Sequence, residues 1–249
     1  MDGGGVEAWS AVADGWSELW AAFADPALRA LLDAAAVGPG TRVLDVGCGS
    51  GELLALAAGR GAVVAGVDPA EGMRALAARA VGVEVRDGDA EHLPWPDASF
   101  DVVLAVNALQ FADDIGAALA ELVRVTVPGG IVGLAIWAEA EHNEPTVVEA
   151  AVARFHEEEL PPDGDLRSAG GLEGALRSAG LDVAGGGLVA VPWEVPDDET
   201  LVRGVLLGED DATIADVTAT LLDAAVPFRT PTGGYRLENA FRWAVGRTP

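Results

Sequence analysis

Val43-Leu44-Asp45-Val46-Gly47-Cys48-Gly49-Ser50-Gly51 is the stretch on which the fold of this 249-residue chain turns. An apolar run of strand length ends in an acid, passes through three glycines and opens on a helical pattern. Glycines in such a turn let the backbone bend tightly and approach a ligand where any Cβ would collide. The helix N-terminus behind them offers free N–H groups to a carboxylate. The spacing is G-x-G-x-G, with Asp45 two positions ahead of the first glycine, whereas a dinucleotide fingerprint runs G-x-G-x-x-G and serves a pyrophosphate. A buried acid at that position repels a pyrophosphate and holds an ammonium.

On the C-terminal side of this loop, short apolar strands alternate with alanine-rich helices. The pattern predicts strands over 41–46, 62–67, 82–87, 101–106 and 130–137, with helices over 51–59, 70–80 and 113–125, the last stopped by Pro128 and Gly129. Such alternation is that of a parallel sheet covered on both faces. On the N-terminal side, Trp9, Val12, Trp16, Leu19, Trp20 and Phe23 recur at spacings of three and four. Leu28, Leu31 and Leu32 follow, so two amphipathic helices broken near Pro26 are expected. After Trp137 come an acidic stretch over 139–144, a helix near 146–159, a loop at 161–165 and a helix at 170–179. A strand near 181–191, a helical segment at 198–225 and a last strand near 235–246 complete the pattern. Leu-Arg-Ser-Ala-Gly occurs at 166–170 and again at 176–180, a compositional coincidence rather than a repeat architecture.

Two further elements point to a nucleoside. Asp68 ends the second strand in Val64-Ala65-Gly66-Val67-Asp68-Pro69, where a carboxylate can accept both ribose hydroxyls, a feature shared with nicotinamide enzymes. Met73, one turn into the next helix, either packs its thioether on an adenine face or packs within the protein. Gly88-Asp89-Ala90 follows the third strand. There Asp89 can accept from an adenine amino group and the Ala90 N–H can donate to the neighbouring ring nitrogen; taken alone, the tripeptide also reads as a turn.

Half of the residues are apolar, enough to bury a core for one sizeable domain. The formal charge of −25 comes from 40 acidic and 15 basic residues, every one of the latter an arginine. Polyanion binding draws its affinity from cations that release counterions, so DNA, RNA and anionic membranes are poor partners, and an acidic carrier protein is disfavoured more weakly. Cys48 is the single cysteine, so no intrachain disulfide forms and thiols are too few for a structural zinc cluster. The longest uncharged run, 125–138, contains Pro128, Gly129 and Gly130 and falls short of the roughly 18 apolar residues of a membrane helix. Asp2 and Glu7 stand where a secretory signal carries positive charge, so a cytoplasmic location and no membrane association are expected.

Taken in order, Asp45 to Gly51, Asp68, Asp89-Ala90, the run from Leu93 to Asp101 and Val127-Pro128-Gly129-Gly130 resemble class I S-adenosylmethionine-dependent methyltransferases. The likeness covers 41–137 well and the remainder loosely, and is strongest to the branch that includes quinone and small-molecule methyltransferases. It implies an α/β, three-layer αβα Rossmann-like fold whose seven-stranded, mostly parallel sheet runs 3-2-1-4-5-7-6 with an antiparallel last strand. A single methyltransferase domain over 1–249 is implied, with an N-terminal helical lid at 1–36, a cofactor-binding core at 41–137, lid insertions at 139–167 and 196–230, and a last strand at 235–246.

The same resemblance implies that Gly47, Cys48, Gly49 and Gly51, with Asp45 before them, hold the methionine portion of S-adenosylmethionine. Asp68 and Pro69 take the ribose, Asp89 and Ala90 the adenine, with Met73 beside it, and Asn107 the methionine amino side. Trp20 resembles the aromatic that covers the methionine end in relatives. Trp16, Gln110, Phe111 and Trp137 line the expected substrate pocket, sized for one apolar small molecule, and S-adenosylhomocysteine is the expected product. Alignment of nucleophile, methyl carbon and sulfur supplies much of such a reaction's acceleration. Where an acceptor hydroxyl must lose a proton, His142 is the candidate base, since it follows the fifth strand at the carboxyl edge; His92 and His156 are placed less well. Glu139, Glu141, His142 and Glu144 read as a solvated acidic loop, and no metal is expected. Two alternatives stay open beside methyl transfer to an oxygen, nitrogen or carbon: a non-methylating reaction such as cyclisation, rearrangement or hydrolysis on the same scaffold, and a non-catalytic cofactor-binding module. A nicotinamide dehydrogenase fits poorly. The chain is expected to act as a monomer or homodimer.

Overall fold

The strand-to-helix alternation builds one sheet. The computed structural model describes residues 5–83 and 85–249. Met1 to Gly4, with Asp2, and Glu84 of the expected third strand lie outside the described residues. The sheet contains β1 (Arg42–Val46), β2 (Val63–Val67), β3 (Val85–Arg86), β4 (Phe100–Val106), β5 (Thr126–Trp137), β6 (Asp182–Ala190) and β9 (Ala240–Arg247). Their order is β3-β2-β1-β4-β5-β9-β6, the implied order with β9 as the seventh strand. The first five strands run parallel, and β9 lies antiparallel between β5 and β6.

Residue alternation along the strands divides the core between the two faces of the sheet. Leu44, Val46, Val103 and Leu134 pack on one face with α5 (Ile115–Val125) and α7 (Gly171–Ser178). Val43, Val102, Leu104 and Val245 pack on the other, with α2 (Asp25–Ala34) and α3 (Glu52–Gly59). Beside α3 lies α4 (Glu71–Val81), where Ala77 meets Cys48 and Leu54. The Cys48 side chain thus belongs to the core, and burial pushes its thiol pKa up. The order fixes the location of a ligand: in such a sheet, β1 and β4 diverge at the carboxyl edge and leave a crevice.

A third core lies beyond that edge. α1 (Val6–Leu19) packs on α4 and on α8 (Asp198–Val205), while α6 (Pro145–Phe155) packs on α9 (Asp211–Ala225). Trp20, Val148, Trp193, Leu201, Val217, Leu221 and Tyr235 form its interior. Three of the helices start on aspartates whose side chains accept from a backbone N–H in the first turn: Asp114 from Ala117, Asp197 from Thr200 and Asp210 from Thr213.

The structure differs from the expected elements most clearly at three places. The helical segment 198–225 is two helices, because Gly208 and the Asp210 cap interrupt it. The last strand is also two: β8 (Tyr235–Leu237) leaves the main sheet to pair with β7 (Trp193–Val195), and the chain returns as β9. The fifth strand begins at Thr126, before Pro128, with a register shift against β4.

Candidate functional site

The glycine loop lies in the crevice between β1 and β4. Gly47 N and Cys48 N both donate to Val67 O, which ties the loop to the end of β2. An added Cβ shows what each glycine is for. On Gly47 it would lie 2.5 Å from Ala108 Cβ, and on Gly51 2.9 Å from Ala77 Cα, so the first lets the loop pack on the Ala108 methyl and the second on the α4 backbone. Gly49, at φ +52°, is different: its Cβ would meet nothing within 4 Å. The space in front of Gly49 is where a ligand can approach the main chain. Gly49→Ala is therefore expected to fold, losing about 1 kcal/mol to its left-handed backbone, while ligand affinity falls. Gly51→Ala at φ +97° is expected to lose more stability, because Ala77 backbone must shift; thermal melts and calorimetric titration of the two variants separate these effects.

Carboxylates converge on this space. Asp45, at the end of β1, is 2% exposed, and no hydrogen bond reaches its side chain among the described residues. Its pKa is raised well above the ordinary value by burial first, then by the charges of Glu52 and Asp68. Asp68, at the end of β2, accepts from Gly49 N at 2.9 Å through Oδ2 and from Ala70 N at 2.8 Å through Oδ1. Burial raises its pKa against the lowering effect of those two bonds. Glu52 opens α3 and is likewise raised, chiefly by burial. Three acids held up by desolvation favour a cation beside them and disfavour a phosphate. Each Asp68 oxygen keeps a second lone pair for a ligand hydroxyl.

At the end of β4, Asn107 sits at φ +48°, and its Oδ1 accepts from Trp137 N at 3.2 Å. The left-handed backbone turns its side chain along the crevice edge, a strain of the kind that accumulates at functional positions. The Leu109–Phe111 turn follows and leaves Gln110 exposed and Phe111 half exposed. Asp89 lies after β3, half exposed, and its Oδ1 accepts from Glu91 N at 2.9 Å with His92 Nδ1 at 3.2 Å.

The N-terminal helix crosses this edge. Ser10 Oγ accepts from Gly72 N of α4 at 3.3 Å, and Trp9 meets Phe111 edge-on with ring centroids 5.6 Å apart. Touching the segments that follow both β2 and β4, α1 passes over the loop of β1 between them. Trp16 stands behind Trp9 at 5.3 Å. Met73 is buried among Ala13 and Ala70, with Trp9 and Trp16 against it, so most of its packing partners come from α1.

Three other expected site residues, Trp20, Trp137 and His142, are held by contacts of their own. Trp20 is 7% exposed inside the third core, stacked on Trp193 at 4.2 Å, and its Nε1 donates to Gly204 O at 3.2 Å. Trp137 stacks on Phe23 at 5.0 Å and touches Phe241. His142 ends the Ala140–His142 turn after β5, with Nε2 3.7 Å from Glu141 Oε1. Glu139 of the acidic stretch is held in a two-point pair with Arg242, at 2.7 Å for each bond. Among the described residues no group of three or more His, Cys, Asp or Glu is placed to hold a metal.

Sequence reasoning passed over Ser10, Arg74 and Ala108. Arg74 Nη1 donates to Asp68 O and Pro69 O and pairs with Asp87, so it fixes the segment carrying Asp68 to the strand end before Asp89. Nothing local in the chain signals such contacts, since the partners are set by the sheet order.

Residues 44–134 match the family described as the methyltransferase domain. Nocamycin O-methyltransferase of Saccharothrix syringae is 42% identical over 121 residues, 45% of this chain and 43% of that protein. The malonyl-[acyl-carrier protein] O-methyltransferase of Serratia marcescens is 41% identical over 95 residues, 38% of this chain and 37% of that protein. The chain thus matches about two fifths of the length of these curated relatives. Among solved structures, the [4+2]-cyclase SpnF superposes with a TM-score of 0.59 at 20% identity, covering 91% of this chain and 82% of that one. That likeness shows the fold, and the sheet order agrees with it.

Proposed function

From the match of residues 44–134 to the methyltransferase-domain family, we propose that the chain is an S-adenosylmethionine-dependent methyltransferase acting on a small-molecule acceptor. The observation that carries this reading is the cradle itself: Gly49 opens onto free space, Asp68 accepts from its N–H, and the buried Asp45 feels the charges of both Glu52 and Asp68. A sulfonium nucleoside bearing an ammonium fits that donor set, whereas a dinucleotide pyrophosphate does not.

In this reading Asp45 faces the ammonium, Asp68 accepts from the ribose hydroxyls, and Asp89 with the Ala90 N–H reads the adenine edge. The helix N-terminus behind Gly51 receives the methionine carboxylate. When bound, the cofactor supplies the methyl group as an electrophile. The chain's own task is to align the acceptor and exclude water. Trp9, Trp16 and Phe111 cover the crevice, and Asn107, Gln110 and Trp137 bound the acceptor side. His142, on the turn after β5, is the group we assign to take a proton from a hydroxyl acceptor.

The O-methyltransferase names of the matched relatives favour an oxygen acceptor. The net charge of −25 favours a free small molecule over one carried on an acidic protein. No helix among the described residues is long and apolar enough to cross a membrane. We place the reaction in the cytoplasm, carried out by a monomer or homodimer. The likeness to SpnF supports one second reading, a non-methylating reaction in the same crevice.

Calorimetric titration with S-adenosylmethionine and S-adenosylhomocysteine tests the proposal, and failure to bind either would overturn it. Product formed without S-adenosylhomocysteine would select the second reading. The titration has an expected pH dependence. Burial raises the pKa of Asp45, Glu52 and Asp68 in the free protein, and a cationic ligand needs them ionised. Affinity is expected to rise with pH across the mildly acidic range and to level off once they ionise. These groups contribute to the stability of the ligand-free chain in the opposite sense. The folded state binds more protons than the unfolded state between the ordinary and raised pKa, so they stabilise folding as pH falls through the raised value.

A further inference from the structure

The 87–99 segment that carries Asp89 and Ala90 has almost no regular structure of its own, and Pro94 and Pro96 deprive it of two backbone donors. Within the segment, Asp89 is held only through Glu91 N and the exposed His92 ring. Its distance from the glycine loop must therefore be set from outside.

The α5 helix supplies the main hold. Arg124 Nη2 donates to Leu93 O at 3.1 Å, and its Nη1 donates to Trp95 O at 2.8 Å and to Asp97 Oδ1 at 2.9 Å. Glu121 Oε2 accepts from Leu93 N at 2.8 Å, and the same carboxylate is bound by Arg124 Nε and Nη2. Both backbone groups of Leu93 are thus satisfied by one ion pair, four residues past Asp89. At the start of α5, Asp114 N donates to Glu91 Oε1 at 2.7 Å. On the far side, Arg86 donates to Pro94 O and lies 4.8 Å from the Trp95 ring centroid.

We propose that the Glu121–Arg124 pair is a positioning latch for the base-reading loop, setting where Asp89 and the Ala90 N–H meet the purine edge and so the selectivity for a 6-amino purine. The inference rests on the reading of Asp89 and Ala90 as the adenine contacts. Base reading depends on hydrogen bonds that weaken within a few tenths of an ångström, and among the described residues Arg124 is the one side chain that reaches Leu93, Trp95 and Asp97 together. Neither Glu121 nor Arg124 needs to touch the ligand. They act through the loop.

The test is calorimetric titration of the full chain with S-adenosylhomocysteine and with its analogue bearing hypoxanthine in place of adenine. It compares the natural protein with Asp89→Ala, Glu121→Gln, Arg124→Gln and Arg124→Lys. The natural protein is expected to prefer adenine, and Asp89→Ala to lose that preference. Arg124→Gln and Glu121→Gln are expected to lower the preference about fivefold to tenfold, with hypoxanthine-analogue affinity little changed; Arg124→Lys restores part of it, because an ammonium keeps some of the donors. A purely structural role would lower both affinities and the melting temperature together, leaving the ratio intact. If Asp89→Ala loses the preference while Glu121→Gln and Arg124→Gln keep it, the latch is overturned and the base contact stands. If Asp89→Ala keeps it, the base contact itself fails and the latch falls with it. Should Arg124→Gln not fold, Glu121→Gln and Arg124→Lys decide the matter by the same ratio.

Discussion

Asp68→Ala is expected to lower affinity for S-adenosylmethionine about a hundredfold, through about 3 kcal/mol of charge-assisted hydrogen bonds to the ribose. The same change frees Gly49 N and Ala70 N, the two backbone donors that Asp68 now accepts from, and so slackens the glycine loop. Folding is expected to survive. Burial raises the Asp68 pKa, which means that its charge is held at a cost, and removing it relieves that cost while the two bonds are lost. Asp68→Asn keeps one acceptor oxygen and is expected to fall between the two. Titration calorimetry beside a thermal melt separates the effects, and unchanged affinity in a folded Asp68→Ala protein would remove the ribose assignment.

Trp20→Ala is expected to cost about 3–5 kcal/mol of stability, the usual range for truncating a buried tryptophan. The indole stacks on Trp193, meets Phe23 edge-on at 5.4 Å and satisfies Gly204 O, so its loss opens a cavity and strands a buried carbonyl. The melting temperature should drop by about 6–20 °C for a chain of this size. Trp20→Phe should recover most of that loss with cofactor affinity near that of the natural protein. A Trp20→Phe protein that melts normally but binds S-adenosylmethionine weakly would place Trp20 at the cofactor's methionine end.

The half of the chain that carries the glycine loop was legible for a physical reason. The Asp45 to Gly51 turn, Asp68 and Asp89 each sit at the end of a strand, and strand ends of a parallel sheet share one edge, so their order along the chain fixes their neighbourhood in space. The outer half was harder to read because its partners are remote. Trp193 and Trp20 stack although nothing in either local pattern pairs them. Glu121 and Arg124 look like an ordinary helical i,i+3 ion pair, while their further partners lie on a loop across the edge of β4. The break at Leu237 that splits the expected last strand is likewise set by pairing with β7.

By itself, then, the amino-acid order determined the parallel sheet and its glycine crevice, because those depend on periodicity and on residues near one another in sequence. Only the tertiary structure decided which glycine faces open space, that α1 spans the crevice from Gly72 to Phe111, and that seven scattered tryptophans serve different cores. Those outcomes depend on side chains brought together by packing over long separations, where many pairings are equally compatible with a local apolar pattern and close fit selects one of them.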